Sequence, residues 1–216
     1  MARHTKAQAE QTREDILDAA EQVFFDRGVA RSTLEEVARV AGVTRGAVYW
    51  HFRDKLDLFL TLSQRAELPH EDLLARLVAE PTLDMFDELQ RVVRATTAWI
   101  ASDLRHRRIL TILYQRCEYV DEMAPAIERL RKADAELVQK LTEIFAVAEE
   151  RSLLAPPWNK NTAAHAMARQ FRGGMMLWLH DPATYPLGDE GLRSVCTLLR
   201  SMRGADRPCT TSDQAG

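Results

Sequence analysis

Apolar residues recur along this chain at helical spacing, and near its start two short helical runs meet at one tight turn, Ala41-Gly42-Val43. That pairing limits the fold more than any other feature, because a glycine turn between two short amphipathic runs forces the helices to cross and share a small core. Ile16, Leu17, Ala20, Val23 and Phe24 mark one face of a first helix. Thr12 and Asp15 have the spacing of a capping pair for it, and Gly28 is its stop. A second helix is expected to start at Ser32, with Glu35 reaching back to complete the cap. Its apolar side is Leu34, Val37, Ala38 and Ala41, and Gly42 ends it. A third begins after Thr44 and turns Ala47, Val48 and Phe52 inward.

Further helices are expected over 54–79, 83–103, 105–117, 123–151, 160–180 and 189–203. Pro81, Pro125, the Pro156-Pro157 pair, Pro182 and Pro186 fall at starts or connections, where a missing N–H costs least. No run alternates as a strand does. The fold class is therefore all-α, with about nine helices. Residues 1–55 form a three-helix helix-turn-helix unit, 56–204 a helical core, and 205–216 a polar tail expected to be disordered.

Composition serves mainly to exclude. With 46% hydrophobic and 28% charged residues, 216 residues bury a core without a disulfide or metal staple. The net charge of -3 and pI of about 6.1 give no global attraction to nucleic acid, so any basic surface is local. Cys117, Cys196 and Cys209 stand far apart, and His4, His51, His70, His106, His165 and His180 have no metal-ligand spacing. No cofactor or metal is expected. With no signal-peptide pattern and no long apolar run in view, a cytoplasmic protein is the expectation. No nucleophile–base pair, paired carboxylates or glycine-rich phosphate loop is visible, so the expectation is that it is not an enzyme.

The chemistry concentrates between Ser32 and Lys55. Val37, Ala38, Val43 and Val48 can form the core of a helix-turn-helix, whose second helix lies in a DNA major groove. Arg45 has the fork geometry for guanine, Thr44 a hydroxyl for a base or phosphate, and Gly46 no side chain to hold the helix off the duplex. Tyr49, His51 and Lys55 offer donors to phosphates. Thr33 adds a hydroxyl beside exposed backbone amides. Between Thr44 and Lys55, three basic residues (Arg45, Arg53, Lys55) face one acid, Asp54. Arg3 and Lys6 add to this field. Phe52 belongs to the core, while Trp50 is compatible with either an outward position or a brace against the first helix. Lys55 is alternatively a simple helix-start charge, and His51 a core residue.

The stretch Gly42-Val-Thr-Arg-Gly-Ala-Val-Tyr-Trp-His-Phe-Arg-Asp-Lys55 closely resembles the DNA-binding signature of the TetR family of bacterial repressors. With Thr5-Lys6, Thr12-Arg13 and Gly28-Val-Ala-Arg-Ser-Thr33, it is most similar to the AcrR group of multidrug-efflux regulators. A weaker likeness, to the sixth helix of efflux-pump repressors, lies in Arg107-Arg-Ile-Leu-Thr-Ile-Leu-Tyr-Gln-Arg-Cys-Glu118. The resemblance implies a homodimer on double-stranded operator DNA, with a small lipophilic effector bound in the C-terminal core. Motion of the helix at Lys55–Leu62 would then carry effector binding to the DNA-binding unit. Two-fold symmetry implies a pseudo-palindromic operator with half-sites roughly 34–36 Å apart.

Candidate linings of the effector site share helix faces: Val93, Thr96 and Thr97; Leu110, Leu113, Tyr114 and Cys117; Leu137 and Leu141; Phe171 and Met175. Arg172 reads equally as a positive group at the pocket wall or as an interfacial salt bridge, and it stands where similar repressors often carry an acid. Leu177, Trp178, Leu192, Val195, Leu198 and Leu199 are the candidate dimer surface, with Gly173-Gly174 allowing close packing. The expected function is a ligand-released repressor, by resemblance of a multidrug efflux operon. The alternatives are a redox-responsive regulator acting through Cys117, a TetR-like regulator of a metabolic operon, and an architectural DNA binder with no ligand.

Overall fold

The structure is a computed structural model that describes residues 2–65, 70–80 and 85–204. The expected disordered tail, 205–216, lies outside the described residues. Among the described residues ten α-helices follow in order: α1 (Ala2–Arg27), α2 (Leu34–Ala41), α3 (Arg45–His51), α4 (Lys55–Gln64), α5 (His70–Ala79), α6 (Met85–Ser102), α7 (Leu104–Thr111), α8 (Ala126–Glu150), α9 (Lys160–His180) and α10 (Leu192–Met202). Among the described residues there is no strand, only an isolated bridge between Leu154 and Arg203. The fold is all-α. The single helix expected over 54–79 is two, α4 and α5, and the expected 105–117 helix ends in a π turn over Ile112–Arg116.

The described residues fall into two compact units. The first draws on Met1–Leu68 and Ile100–Lys132, the second on Pro69–Trp99 and Ala133–Gly216. The expected boundary at residue 55 therefore differs from the packing: α4, α7 and the segment up to the start of α8 join the N-terminal helices. Charge explains much of this. Arg105 of α7 pairs with Asp18 and reaches Glu21 at 3.2 Å, and Arg65, just after α4, pairs with Glu14 and, at 2.7 Å, with Asp18. Arg108 lies over the Phe25 ring at 5.6 Å. Glu21 is buried, and desolvation raises its pKa above the ordinary carboxylate value despite both arginines.

In the first unit, α1 buries Ile16, Leu17, Ala20, Val23 and Phe24 against Val37, Val48, Phe52, Phe59, Ile109 and Leu113. Its expected start at Thr12 is displaced, since α1 begins at Ala2 and Thr12 instead donates back to the Gln8 carbonyl inside the helix. The stop at Gly28 is as expected: its φ of 83° is left-handed and its N–H reaches Phe24 O at 2.9 Å. Val29 N–H then donates to the carbonyl oxygen of Arg116 at 2.8 Å, joining the α1–α2 corner to the end of the π turn.

The second unit is built from α5, most of α6, the larger part of α8, α9 and α10. Its core includes Leu74, Phe86, Leu89, Ile144, Phe145, Met167, Val195 and Leu199. Asn159 and Thr162 close a reciprocal cap at the start of α9. In sequence, α6 and α8 each contribute residues to both units.

Candidate DNA-binding surface and effector cavity

The turn that the sequence marked is built as a left-handed glycine cap. Gly42 has φ 68°, and Val43 N–H closes on the Ala38 carbonyl at 3.0 Å. The cap that starts α2 is one residue later than expected. Thr33 Oγ1 accepts from Glu36 N–H at 3.2 Å while a Glu36 carboxylate oxygen accepts from Thr33 N–H at 3.0 Å. The Thr33 backbone donor, acting first, holds the Glu36 carboxyl below its usual range. Ser32 is instead buried and donates to the Gly28 carbonyl at 2.6 Å. The shift follows from geometry: Gly28 ends α1 early enough for Ser32 to turn back onto it.

α3 is capped by Thr44, whose Oγ1 accepts from Ala47 N–H at 3.2 Å. It buries Val48, with Phe52 beneath its end, and leaves Thr44, Arg45, Gly46, Tyr49 and Trp50 exposed. Trp50 is 73% exposed, which resolves its two readings in favour of the outward one. Arg45 stretches between two neighbours, its guanidinium 2.7 Å from Glu35 and 5.3 Å above the Tyr49 ring. A Cβ added at Gly46 would meet nothing nearer than Thr44 Oγ1 at 3.9 Å, so nothing inside the protein demands glycine there. His51 is half-buried against Trp50, ring to ring at 4.5 Å and edge-on. Desolvation, followed by nearby Arg13, lowers its pKa.

Lys55 departs from the expected phosphate contact. It is 9% exposed, and its ammonium donates to the carbonyls of Ala30 at 3.3 Å and Ser32 at 3.2 Å while pairing with Glu122 at 2.7 Å. In this geometry it ties the start of α4 to the α1–α2 corner.

The second unit holds an apolar cavity lined by Leu74, Leu89, Val92, Val93, Thr96, Leu137, Leu141, Met167, Ala168 and Phe171, of about 30 Å³. Val93, Thr96, Leu137, Leu141 and Phe171 are thus brought together as the sequence reading expected. Leu74, Leu89, Val92, Met167 and Ala168 were missed, although Leu89 and Val92 continue the helical stripe of Val93 and Thr96. Thr97 and Met175 are buried but do not line the cavity. Leu113 belongs to the first unit's core, against which Tyr114 and Cys117 pack, and Leu110 is buried without lining the cavity. None of the four lines the cavity, and α7 with its π turn falls in the first unit. Arg172 forms an ion pair with Asp134 of α8, and it is not among the cavity's lining residues.

The expected dimer residues divide. Leu177 is 48% exposed and Leu198 half-buried, whereas Trp178, Leu192, Val195 and Leu199 are between 0% and 9% exposed inside a single chain. Leu192, Val195 and Leu199 belong to the second unit's own core, and Trp178 is buried within the same chain. Gly173, Gly174 and Leu177 instead line a surface groove with Tyr185, Pro186 and Ser194.

An exposed, short second helix after a left-handed glycine turn, together with a cavity-bearing helical unit, defines the class: a helix-turn-helix transcriptional regulator. Residues 16–62 match the bacterial regulatory proteins of the tetR family, and residues 84–203 match the C-terminal region of MAATS-type transcriptional repressors. The transcriptional repressor BepR of Brucella suis is 41% identical over 201 residues, covering 93% of this chain and 96% of that protein. TtgR of Pseudomonas putida is 34% identical over 203 residues, covering 94% and 97%. Among solved structures, NalD, the secondary repressor of the MexAB-OprM multidrug efflux pump in Pseudomonas aeruginosa, superposes with a TM-score of 0.82 at 34% identity, covering 92% of this chain and 99% of that one. A SmeT–triclosan complex gives 0.80 at 25% identity, covering 95% and 99%. The chain belongs to the tetR family of transcriptional regulators.

Proposed function

We propose that the protein is a ligand-released repressor that binds a pseudo-palindromic operator as a homodimer and controls a multidrug efflux operon. The observation that carries this reading is the outward face of α3, where Arg45, Gly46, Tyr49 and Trp50 are exposed while Val48 anchors the helix from behind. Arg45 reads guanine, Thr44 and Tyr49 meet phosphates, and the open position at Gly46 admits the duplex closely. Thr33 and His51 flank this face. Similarity to NalD, whose named target is a multidrug efflux pump, supports the operon assignment.

The cavity supports a lipophilic effector, as does likeness to SmeT, which is known in complex with triclosan. At about 30 Å³ the cavity has room for little more than one water, whereas small-molecule sites span roughly 300–1,000 Å³. Effector entry therefore requires displacement of α6, α8 or α9. Because α6 and α8 continue into residues of the first unit, that displacement has a covalent route toward the DNA-binding helices, beside the expected one through α4. By linkage, DNA weakens effector binding by the same factor.

Redox sensing through Cys117 is the weaker reading. Burial pushes its thiol up to about 11, so at neutral pH almost no thiolate is present to react.

The test is a fluorescence-anisotropy titration with DNA upstream of the protein's own gene, at fixed salt, against lipophilic antibiotics, dyes, bile salts and plant phenolics. Sequence-dependent binding that some compounds weaken is expected. Specific binding that no compound alters would remove the effector half of the proposal.

A further inference from the structure

A second concavity in the C-terminal unit lies between α6 and α10, with a volume of about 540 Å³, and its rim carries Arg94, Arg193 and Arg200. Among the described residues none of these three guanidinium groups forms an ion pair, while their neighbours do. Asp87 is committed to Arg203 at 3.3 Å and Glu88 to Arg91 at 2.6 Å. Three arginines around one hollow without an ion pair among the described residues, in a chain whose net charge is -3, raise the local potential there. Arg200 is also oriented: its Nε donates to the Cys196 carbonyl at 3.3 Å and a terminal nitrogen to Thr197 Oγ1 at 3.4 Å.

We propose that this groove binds a small soluble polyanion, a molecule carrying two or more phosphate groups. The spacing selects for charge number. Arg193 and Arg200 stand two helical turns apart, roughly 10 Å along α10, and Arg94 faces them from α6, so one carboxylate would satisfy a single fork. Guanidinium forks match phosphate oxygens two at a time. The volume falls within the usual range for a small-molecule site, and Leu192 and Cys196 supply an apolar floor for the uncharged part of the ligand. The groove is distinct from the apolar cavity, with which it shares no lining residue, and from the groove at Gly173 and Leu177. Arg193 and Ser194, adjacent on α10, line different grooves about 100° apart around the helix.

The test is isothermal titration of the full chain with inorganic tripolyphosphate and with inorganic phosphate at equal ionic strength. Tripolyphosphate is expected to bind at least ten-fold more tightly than phosphate. The triple variant Arg94→Gln, Arg193→Gln, Arg200→Gln is expected to lose at least ten-fold of that affinity, while Arg45→Gln on the α3 face retains it. Should circular dichroism show the triple variant unfolded, Arg94→Gln and Arg193→Gln alone are each expected to weaken binding several-fold. The proposal is overturned by tripolyphosphate binding that only Arg45→Gln reduces, by no binding at millimolar concentration, or by retention on anionic phospholipid vesicles without binding of the soluble probe.

Discussion

Arg45, the first residue of α3, places its guanidinium 2.7 Å from the carboxylate of Glu35 on α2. Both side chains are more than half exposed, so solvent screening leaves the pair little to add to stability. Its consequence is for the proposed binding mode: the arginine assigned to guanine is held by an acid that DNA would have to displace. Arg45→Ala is expected to abolish operator selectivity, since each bidentate arginine–guanine contact discriminates by about 1–3 kcal/mol and a dimer makes it twice. Glu35→Ala is expected to tighten binding to every sequence by removing a negative charge near phosphate. Anisotropy titrations on operator and scrambled duplexes at one salt concentration separate the two effects, with dimer mass unchanged in both variants.

Lys55 gives a stability prediction. The two carbonyls it serves, Ala30 and Ser32, lose their shared donor in Lys55→Met, which keeps most of the aliphatic stem. A loss of about 1–3 kcal/mol in urea unfolding is expected from the stranded acceptors. Glu122→Gln, whose parent side chain is 60% exposed, is expected to cost less than about 1 kcal/mol. Operator affinity that falls in Lys55→Met without any loss of stability would return Lys55 to the role of a phosphate contact.

These two residues also show how far the sequence could be read. The all-α class, the glycine turn and the outward residues of α3 were legible because helical periodicity and left-handed glycine are local signals. Five of the twelve expected effector-site residues converge on the cavity, because α6, α8 and α9 present the faces that their periodicity marks. Leu113, Tyr114 and Cys117 pack in the first unit instead, since periodicity reveals an apolar face but not which core it joins. That choice is made by Arg105 pairing with Asp18 and Glu21, residues far away in sequence. Burial of Lys55 was equally invisible, because its partners are backbone carbonyls on another turn.

Leu141 of α8 is 3% exposed and lines the apolar cavity. Leu141→Ala is expected to cost about 2–5 kcal/mol in unfolding free energy. It is also expected to change effector response while leaving effector-free operator affinity within two-fold. Anisotropy in the presence of an active compound reads the first change, and the same titration without it the second.

Cys117 gives a pH prediction. Desolvation is the main cause of its shift to about 11, from an ordinary value of 9.0. A thiol whose folded pKa is raised binds its proton more tightly in the native state. Its contribution to stability is therefore complete below pH 9 and is lost as pH rises from 9 through 11. Native protein at neutral pH is expected to alkylate at Cys117 far more slowly than urea-unfolded protein. Cys117→Ser is expected to keep operator binding and effector response, and peroxide sensitivity that this variant abolished would restore the redox reading.

Leu177 and Leu199 make opposite predictions about assembly although both are leucines on the last two helices. Leu177 is 48% exposed beside Gly173, at which an added Cβ would meet nothing within 4 Å, whereas Leu199 is fully buried in its own chain. A partner protomer can therefore seat on the first and not on the second. Leu177→Glu is expected to yield a folded monomer by light scattering, with unchanged helical circular dichroism and operator affinity reduced at least ten-fold. Leu199→Asp is expected to unfold the chain, because a carboxylate in that core has no partner and its desolvation costs several kcal/mol. A Leu177→Glu variant that remained dimeric would move the interface away from this face of α9.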